Sequence, residues 1–373
     1  MRFRNGISLG RIFGIPIGLD FTWFLIFIWL TWILARSYYP VEFHNWPTLE
    51  YWIVGAITSI MLFVSVLLHE LGHSVIAMRY KIKVRRITLF IFGGVAEISG
   101  EPPKASAEFW IAIAGPVVSF ALAVLFYFLE QAATGFAPVW ALLKYLSFIN
   151  FILAVFNLIP GFPLDGGRVF RAVVWGITHN FSRSTRIAAT VGRFFGFFFI
   201  FIGVLRIFSG DLGDGIWIAF IGWFLESAAT GQLRQQELHE LLDGHKVSDI
   251  RYGNYQIVPA DTTLQNLVDH HVLGSGRRSF LVQNGERLSG LLTLHGIREV
   301  PRDKWSTTHI TEIMIPKDQL QTVQSNLPLW DALIKMDRDG VNQLPVVEEH
   351  DKIVGIISRE DIITYLKTLK DLG

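Results

Sequence analysis

The chain has 373 residues and a net charge of only +1, which is too weak to indicate a nucleic-acid partner. It contains no cysteine, so disulfides, thiolate metal sites and cysteine nucleophiles are excluded. Charged residues make up 17% of it, against roughly 25% in typical soluble domains. The deficit lies in residues 1–230, because residues 231–373 hold 16 Lys/Arg and 20 Asp/Glu. We therefore expect a membrane domain followed by a soluble module.

Six apolar segments approach or reach the roughly 20 helical residues needed to cross a bilayer core. They are 17–35, 51–71, 109–129, 139–159, 192–208 and 215–229. The first segment leads into Arg36 and Tyr38 rather than a small-residue cleavage site, so we expect a retained membrane helix and not a cleaved signal peptide. The predicted fold class is an α-helical polytopic membrane protein with about six transmembrane helices, followed by an α/β module.

Basic residues cluster before the first segment and after the second and fourth. They include Arg2, Arg4 and Arg11, then Arg79, Lys81, Lys83, Arg85, Arg86 and Lys104, then Arg168, Arg171, Arg183, Arg186 and Arg193. The other connections carry acidic residues and few basic ones near their ends. By the positive-inside rule both termini and the soluble module are cytoplasmic. The sequence thus predicts a multi-pass protein of the cell membrane.

Residues 84–98 form the pattern of a β-hairpin between the second and third segments. Two short apolar strands flank Gly93 and Gly94, which are residues suited to a tight turn. A surface hairpin is one interpretation. The other is a membrane-embedded hairpin beside an active site, because residues 89–92 are unusually apolar for a loop.

The soluble module contains an internal repeat. Residues 247–250 recur as 310–313, and residues 264–297 align with 329–362 at an offset of 65 residues. Each copy has the pattern helix, strand, turn, strand, helix. We therefore divide the chain into a membrane domain (1–230), a polar linker (231–246) and a repeat pair (247–373) with its internal boundary at about 305/306.

This repeat resembles a tandem pair of CBS domains, α/β modules that pair with each other and often bind adenine nucleotides. In that family a carboxylate three residues after a Ser or Thr commonly holds the ribose. The second repeat matches with Ser358 and Asp361, whereas the first has Gly296 three residues after Thr293. The resemblance implies an adenine nucleotide at Ser358 and Asp361, and a homodimer formed through the CBS domains.

The second apolar segment ends in the pattern His-Glu-x-x-His. His69 and His73 are four residues apart, which places both imidazoles on one face of a helix where they can hold one zinc ion. Glu70 lies beside that position and can act as general base. Ionisable groups in a membrane segment are costly and usually functional. The alternative is an interfacial polar cluster without a metal.

A second polar site follows the fourth apolar segment. Residues 157–168 contain two prolines and three glycines near the membrane end, a composition that prevents a regular helix. Irregular backbone at membrane depth is tolerated where it is buried in protein or faces a watery cavity. Asp165 is the carboxylate of this segment, and a catalytic zinc needs a third protein ligand. Asp165 could equally cap a helix beside Gly166.

Together, residues 69–73 and 157–166 resemble the site-2 protease family of intramembrane zinc metalloproteases (peptidase M50 type), in the branch with C-terminal CBS domains. The resemblance implies zinc held by His69, His73 and Asp165, with Glu70 as general base. It also implies that Asn157 contacts substrate and that the hairpin at Gly93 and Gly94 offers substrate a strand edge. Residues 115–119 match a further family element on the third segment, where Ser119 stands in place of a frequent Asn, and the match implies that Ser119 also contacts substrate. That Ala-Gly-Pro segment could also be a packing kink.

The sequence therefore predicts a zinc metalloendopeptidase that cleaves within or next to transmembrane segments, with the CBS pair as a regulatory or dimerisation module. The expected partners are the lipid bilayer and a membrane-protein substrate, such as the single-pass anti-sigma factors that the family suggests. A CBS-regulated transporter or channel, or an inactive membrane scaffold, is the alternative. Both alternatives leave Glu70 beside His69 unexplained. The other histidines have no metal-ligand spacing.

Overall fold

A computed structural model describes residues 6–91, 93–250, 255–273, 279–285, 287–348 and 353–372. The chain folds into two compact units, Met1–Gln236 and Glu237–Gly373. The first unit is mostly helical and carries one sheet, whereas the second is built of short helices and strands.

Helices dominate the first unit. They are α1 (Thr22–Ile33), α2 (Tyr39–Glu42), α3 (Thr48–Arg79), α4 (Ala105–Ala132), α5 (Ala137–Asn157), α6 (Asp165–Thr178), α7 (Phe181–Phe208) and α8 (Leu212–Leu242). A π-helical segment, Leu34–Tyr38, joins α1 to α2. Five helices within the described ranges are long and apolar enough to cross a membrane: Thr22–Glu42, Thr48–Arg79, Ala105–Ala132, Ala137–Asn157 and Phe181–Phe208. The membrane-protein prediction is thus confirmed.

The sixth predicted segment, 215–229, is not among these five apolar helices and forms the first half of α8. It nevertheless packs closely on α7. A Cβ atom added to Gly203 would lie only 2.5 Å from the Ala219 nitrogen, and one added to Gly222 would lie 2.6 Å from the Gly196 carbonyl oxygen. Small residues that allow backbones to approach are typical of helix pairs in membranes. The predicted polar linker continues α8 as regular helix to Leu242.

The predicted start of the first membrane helix is wrong. Residues 17–20 belong to strand β2 (Ile15–Asp20), and α1 begins only at Thr22. Asp20 terminates the strand by accepting hydrogen bonds from the Thr22 amide (2.9 Å) and hydroxyl (2.7 Å), which also lower the pKa of its carboxyl group. The apolar residues of β2 continue directly into those of α1, which hides the boundary in the sequence.

The predicted hairpin is confirmed as β3 (Lys83–Phe90) and β4 (Gly93–Ser99). It belongs to a four-stranded sheet in the order β1-β2-β3-β4, in which β1 (Gly6–Ile12) and β4 are the edges. Strand β2 pairs antiparallel with β1 and parallel with β3. The sheet packs on α3 through Ile15, Ile17 and Ile87, which contact a cluster containing Leu71. It therefore covers the turn of α3 that carries the His-Glu-x-x-His pattern.

Among its described residues, the second unit contains two small sheets, β5-β6-β7-β8 and β11-β10-β9. Their strands are Ile257–Pro259, Ser279–Asn284, Arg287–Thr293 and Ile315–Pro316, then Val323–Gln324, Gln343–Val347 and Ile353–Ser358. The main helices are Leu264–Leu267, Leu294–Arg298, Leu329–Asp339 and Arg359–Leu372. The first and third start 65 residues apart, as do the second and fourth, so the structure reproduces the predicted repeat.

The two repeats exchange their first segments. The turn Val247–Asp249 opens the first repeat in sequence but contributes to the core of the second, where the Val247 amide donates to the Leu327 carbonyl (2.9 Å). The helical turn Ile310–Ile313 lies in the core of the first repeat in the same way, and the Ile310 amide donates to the Thr262 carbonyl (3.1 Å). Each repeat thus completes the hydrophobic core of the other.

Candidate metal centre

His69 and His73 lie on one face of α3, near its C-terminal end. Both side chains are buried, and their Nε2 atoms are 3.2 Å apart. This closeness follows from the i, i+4 spacing, which stacks the two side chains one helical turn apart. The predicted helical placement of both imidazoles is therefore what the structure shows.

Asp165 reaches the same point from a distant part of the chain. It is the first residue of α6, and its Oδ2 lies 3.0 Å from His69 Nε2 and 3.2 Å from His73 Nε2. The loop before it packs tightly on α6, because a Cβ at Gly166 would lie 2.4 Å from the Leu158 carbonyl and one at Gly167 would lie 2.3 Å from Gly161. The glycines therefore allow the approach that brings the carboxylate to the histidines.

The three ligand atoms form a nearly equilateral triangle with edges of 3.0 to 3.2 Å. A tetrahedral zinc ion with ligands at about 2.0 to 2.1 Å separates its ligand atoms by about 3.3 to 3.4 Å. Two imidazole nitrogens and one carboxylate oxygen also match the donor set of a catalytic zinc with an open fourth position. His69, His73 and Asp165 therefore fit a zinc ion in both geometry and chemistry.

The other nitrogen of each imidazole is held by α4. His73 Nδ1 lies 2.7 Å from the Ile111 carbonyl oxygen, and His69 Nδ1 lies 2.8 Å from Ser119 Oγ. A carbonyl only accepts, so the proton of a neutral His73 lies on Nδ1 and its Nε2 is free for a metal. Ser119 is fully buried and can accept a hydrogen bond from His69 in the same sense. Such partners orient metal-bound histidines in general.

Gly115 explains the Ala-Gly-Pro segment of α4. A Cβ at this position would lie 2.2 Å from His73 Nε2 and 2.6 Å from His69 Nε2. Any side chain there would collide with both ligand atoms, so this glycine keeps the metal position open. The Ala-Gly-Pro segment, which the sequence left undecided between a site element and a packing kink, thus lies against both candidate ligands.

Glu70 lies against the sheet that covers α3. A Cβ at Gly94 would lie 2.6 Å from Glu70 Cγ, so edge strand β4 runs directly past this carboxylate. Glu70 also interacts electrostatically with His69, His73 and Asp165. Gly93 is the first residue of β4 and pairs with Phe90, and its φ of +126° favours glycine. The structure therefore brings the hairpin and the candidate base together.

The remaining predicted residues are Asn157 in the first unit and Ser358 and Asp361 in the second. Asn157 is the half-buried last residue of α5, and its side chain has no recorded hydrogen bond to the described residues. Ser358 and Asp361 lie at the start of the helix Arg359–Leu372. There Asp361 Oδ2 accepts hydrogen bonds from the Ser358 amide (2.8 Å) and hydroxyl (2.7 Å). Thr293 caps its own helix by accepting from the Gly296 amide (3.4 Å).

One ion pair near the site was missed. Glu108 in the first turn of α4 is fully buried and accepts a hydrogen bond from Arg171 Nε of α6 (2.8 Å). Arg171 is among the basic residues from which the topology was predicted, and its side chain is buried. An acidic residue directly before an apolar segment was the available signal.

Comparison with known proteins agrees with this arrangement. The model of peptidase family M50 matches residues 57–137 and 129–201, and the CBS domain model matches residues 310–368. The protein sll0528 of Synechocystis sp. is 35% identical over 98% of this chain and 96% of its own length. The zinc metalloprotease MJ0392 of Methanocaldococcus jannaschii is 30% identical over 98% of this chain and 97% of that protein.

A solved structure titled as the site-2 protease from Methanocaldococcus jannaschii is 33% identical. It covers 61% of this chain and 95% of that one, with a TM-score of 0.44. The sequence relatives match over nearly their full lengths, so the similarity includes both the membrane domain and the C-terminal module. The chain therefore belongs to peptidase family M50, the site-2 protease family of zinc metalloproteases, and carries a C-terminal CBS module.

Proposed function

We propose that His69, His73 and Asp165 hold one catalytic zinc ion in an endopeptidase that cleaves within or next to transmembrane segments. The observation that carries this proposal is the triangle of three ligand atoms beside Glu70, at the membrane helix end covered by the sheet. A transporter or scaffold would need neither this triangle nor a glycine that keeps the metal position open.

The chain supplies the proton transfers. Glu70 takes a proton from the attacking water and returns it to the leaving amine, so that the peptide bond breaks and the free base is restored. A zinc ion held by the triangle supplies Lewis acidity to the scissile carbonyl and to water. The Ile111 carbonyl and Ser119 keep both imidazoles turned toward the metal position while this happens.

The substrate must be extended to be cut, since a helix hides its carbonyls in its own hydrogen bonds. We propose that the substrate pairs with the free edge of β4, the strand that passes Glu70 at Gly94. Addition of a strand to an exposed sheet edge is a common mode of peptide binding. Asn157, at the end of α5, would contact the substrate or reaction intermediate.

The protease would act in the cell membrane as a multi-pass protein. The basic connections described above would place both termini and the CBS pair in the cytoplasm. A single-pass membrane regulator, such as an anti-sigma factor, is the proposed class of substrate. His69 and His73 lie near the C-terminal end of α3, and Asp165 begins α6 in a connection that is proposed to be cytoplasmic. Cleavage would therefore take place near the cytoplasmic end of that substrate helix.

The CBS pair would regulate the protease or hold two copies together. Helix α8 ends in this unit, where Leu242 lies in the core of the second repeat. The ring of His239 also packs against Trp330, with ring centroids 4.7 Å apart. A nucleotide bound at Ser358 and Asp361 of this same repeat would therefore act on the module to which α8 is anchored.

The test is a comparison of two variants in purified protein, with cleavage of a membrane-embedded substrate and zinc content measured on the same samples. Glu70→Gln should keep about one zinc per chain and lose cleavage by orders of magnitude, because the ligands remain and the base is lost. Asp165→Ala should lose both cleavage and zinc, because one of the three ligands is removed. Cleavage by Glu70→Gln at the wild-type rate would overturn the role of Glu70, and normal zinc content in Asp165→Ala would place the third ligand elsewhere.

A further inference from the structure

The buried ion pair between Glu108 and Arg171 joins two helices that carry different parts of the metal centre. Arg171 Nε donates to Glu108 Oε1 (2.8 Å), and Nη2 of the same guanidinium also contacts Oε1. Glu108 is 0% exposed and Arg171 is 8% exposed. The second carboxylate oxygen, Oε2, has no hydrogen-bond partner among the described residues. Arg171 therefore supplies the hydrogen bonds to this charge, and Arg168 attracts it electrostatically.

The guanidinium group is also fixed by its other neighbours. Its Nη1 donates to Thr185 Oγ1 of α7 (3.3 Å). Its central carbon lies 4.9 Å from the ring centroid of Phe162 and 4.6 Å from that of Phe181, within the range of cation–π attraction. Arg171 is therefore held from α4, from α7 and from the loop that precedes Asp165.

Both partners lie close in sequence to groups that hold the metal ligands. Glu108 precedes Ile111 by one helical turn of α4, and the Ile111 carbonyl orients His73. Arg171 lies two turns after Asp165 on α6, and Phe162 lies three residues before Asp165. The ion pair thus connects the helix that orients one proposed ligand to the helix that supplies another.

We propose that Glu108 and Arg171 are positioning residues that set the spacing between His73 and Asp165. This inference rests on the proposed metal site. A buried charge that loses its partner is strongly unfavourable, so the pair holds α4 and α6 at one separation and does not permit a gradual displacement. An ion pair that only stabilised the fold could be replaced by apolar side chains without effect on the metal.

The double variant Glu108→Leu/Arg171→Met separates these two roles. Replacing a buried ion pair by apolar residues of similar volume is often neutral or stabilising, so this variant should fold. We expect its zinc affinity, measured by competition with a chelator of known affinity, to fall about 10- to 100-fold, as for other residues that orient ligands. The single variant Glu108→Gln should show the same loss together with a lower thermal unfolding temperature.

A distance measurement on zinc-free protein gives a readout that needs neither metal nor activity. The chain has no cysteine, so spin labels can be attached at cysteines introduced at the exposed positions Ser106 of α4 and Ile177 of α6. The distribution of label distances should be narrow in otherwise unchanged protein and broad in the double variant. This result would stand even if the wild-type protein cleaved no tested substrate.

Glu226→Gln serves as the matched control. Glu226 of α8 pairs with Arg193 of α7 at 3.4 Å, so Glu226→Gln removes an ion pair between two helices that carry none of the three proposed ligands. We expect this variant to keep wild-type zinc affinity and the narrow distance distribution. Unchanged zinc affinity in the folded double variant, or an equally narrow distance distribution, would overturn the positioning role. Equal losses in the Glu226→Gln control would also overturn it, since they would show a general effect of helix packing.

Discussion

Ser119 Oγ lies 2.8 Å from His69 Nδ1, so a buried hydroxyl of α4 faces the nitrogen of His69 that points away from the metal position. The sequence suggested a role for Ser119 at the substrate. Its location behind the imidazole favours a role in orienting His69, because a fully buried side chain already bonded to a ligand is not available to a substrate.

Ser119→Ala should lower zinc affinity about 10- to 100-fold, the usual effect of removing a group that orients a metal-binding histidine. Chelator competition measures this effect. Ser74→Ala is the matched control, because Ser74 is a fully buried serine next to His73 whose hydroxyl has no hydrogen-bond partner among the described residues. That control should bind zinc like the wild type. Equal affinities in both variants would mean that the Ser119 hydroxyl does not orient His69.

Gly115→Ala should abolish zinc binding while helix content stays unchanged. The added Cβ would lie 2.2 Å from His73 Nε2, too close for both atoms to keep their positions. Alanine is a better helix former than glycine by about 1 kcal/mol, so loss of helix would not be the cause. Metal analysis and circular dichroism on one sample give the answer.

Gly176→Ala on α6 provides the comparison for this variant. A Cβ there would meet only the Ala105 Cβ at 3.9 Å, an ordinary contact. We expect normal zinc content in Gly176→Ala. If Gly115→Ala also retained a full equivalent of zinc, the ligand triangle would have room that the structure does not show.

Asp361 is the residue proposed to hold the ribose of an adenine nucleotide. One of its carboxylate oxygens accepts two hydrogen bonds from Ser358, which leaves the other oxygen available to a ribose. AMP or ATP should therefore raise the thermal unfolding temperature of the full-length protein, and Asp361→Asn should reduce that shift. Thr293→Ala should leave it unchanged, because the first repeat has Gly296 at the equivalent position. No shift with either nucleotide in the wild type would exclude adenine-nucleotide binding under these conditions.

Features encoded within one segment were predictable from the sequence. The i, i+4 histidines, the five apolar helices, the β3–β4 hairpin and the repeat offset of 65 residues all depend on local periodicity or on self-similarity. The predicted proximity of Asp165 to His69 had a different origin. It came from the third protein ligand that a catalytic zinc needs and from the family resemblance, because no local pattern in residues 157–168 specifies which helix they approach.

Features that depend on contacts between distant segments were not predictable in the same way. Residues 17–20 continue an apolar run, and only their pairing with β1 and β3 makes them a strand. The exchange of the turns Val247–Asp249 and Ile310–Ile313 between the repeats is likewise invisible in a sequence alignment of the two copies. Arginine is usually exposed, and the burial of Arg171 follows only from the position of Glu108.

Proline substitutions test whether substrates pair with the free edge of β4. Neighbouring residues of an antiparallel strand direct their N–H groups alternately toward the paired strand and away from it. Val95→Pro and Ala96→Pro therefore remove different donors: one needed for pairing with β3 and one free for a substrate. The variant with the smaller loss of thermal stability identifies the outward donor.

That variant should keep normal zinc content and lose cleavage, because the metal ligands are untouched while the substrate cannot be held along the strand. The loss should be greatest for substrates with stable transmembrane helices and smaller for substrates whose helix is already broken by glycine or proline near the cleavage site. Such substrates depend less on being held extended. The control is Ser8→Pro. Ser8 lies on β1, the opposite edge strand of the same sheet, so this substitution alters an edge away from Glu70. Wild-type cleavage of a stable helix by the outward-donor variant, or an equal loss in Ser8→Pro, would show that substrates do not pair with β4.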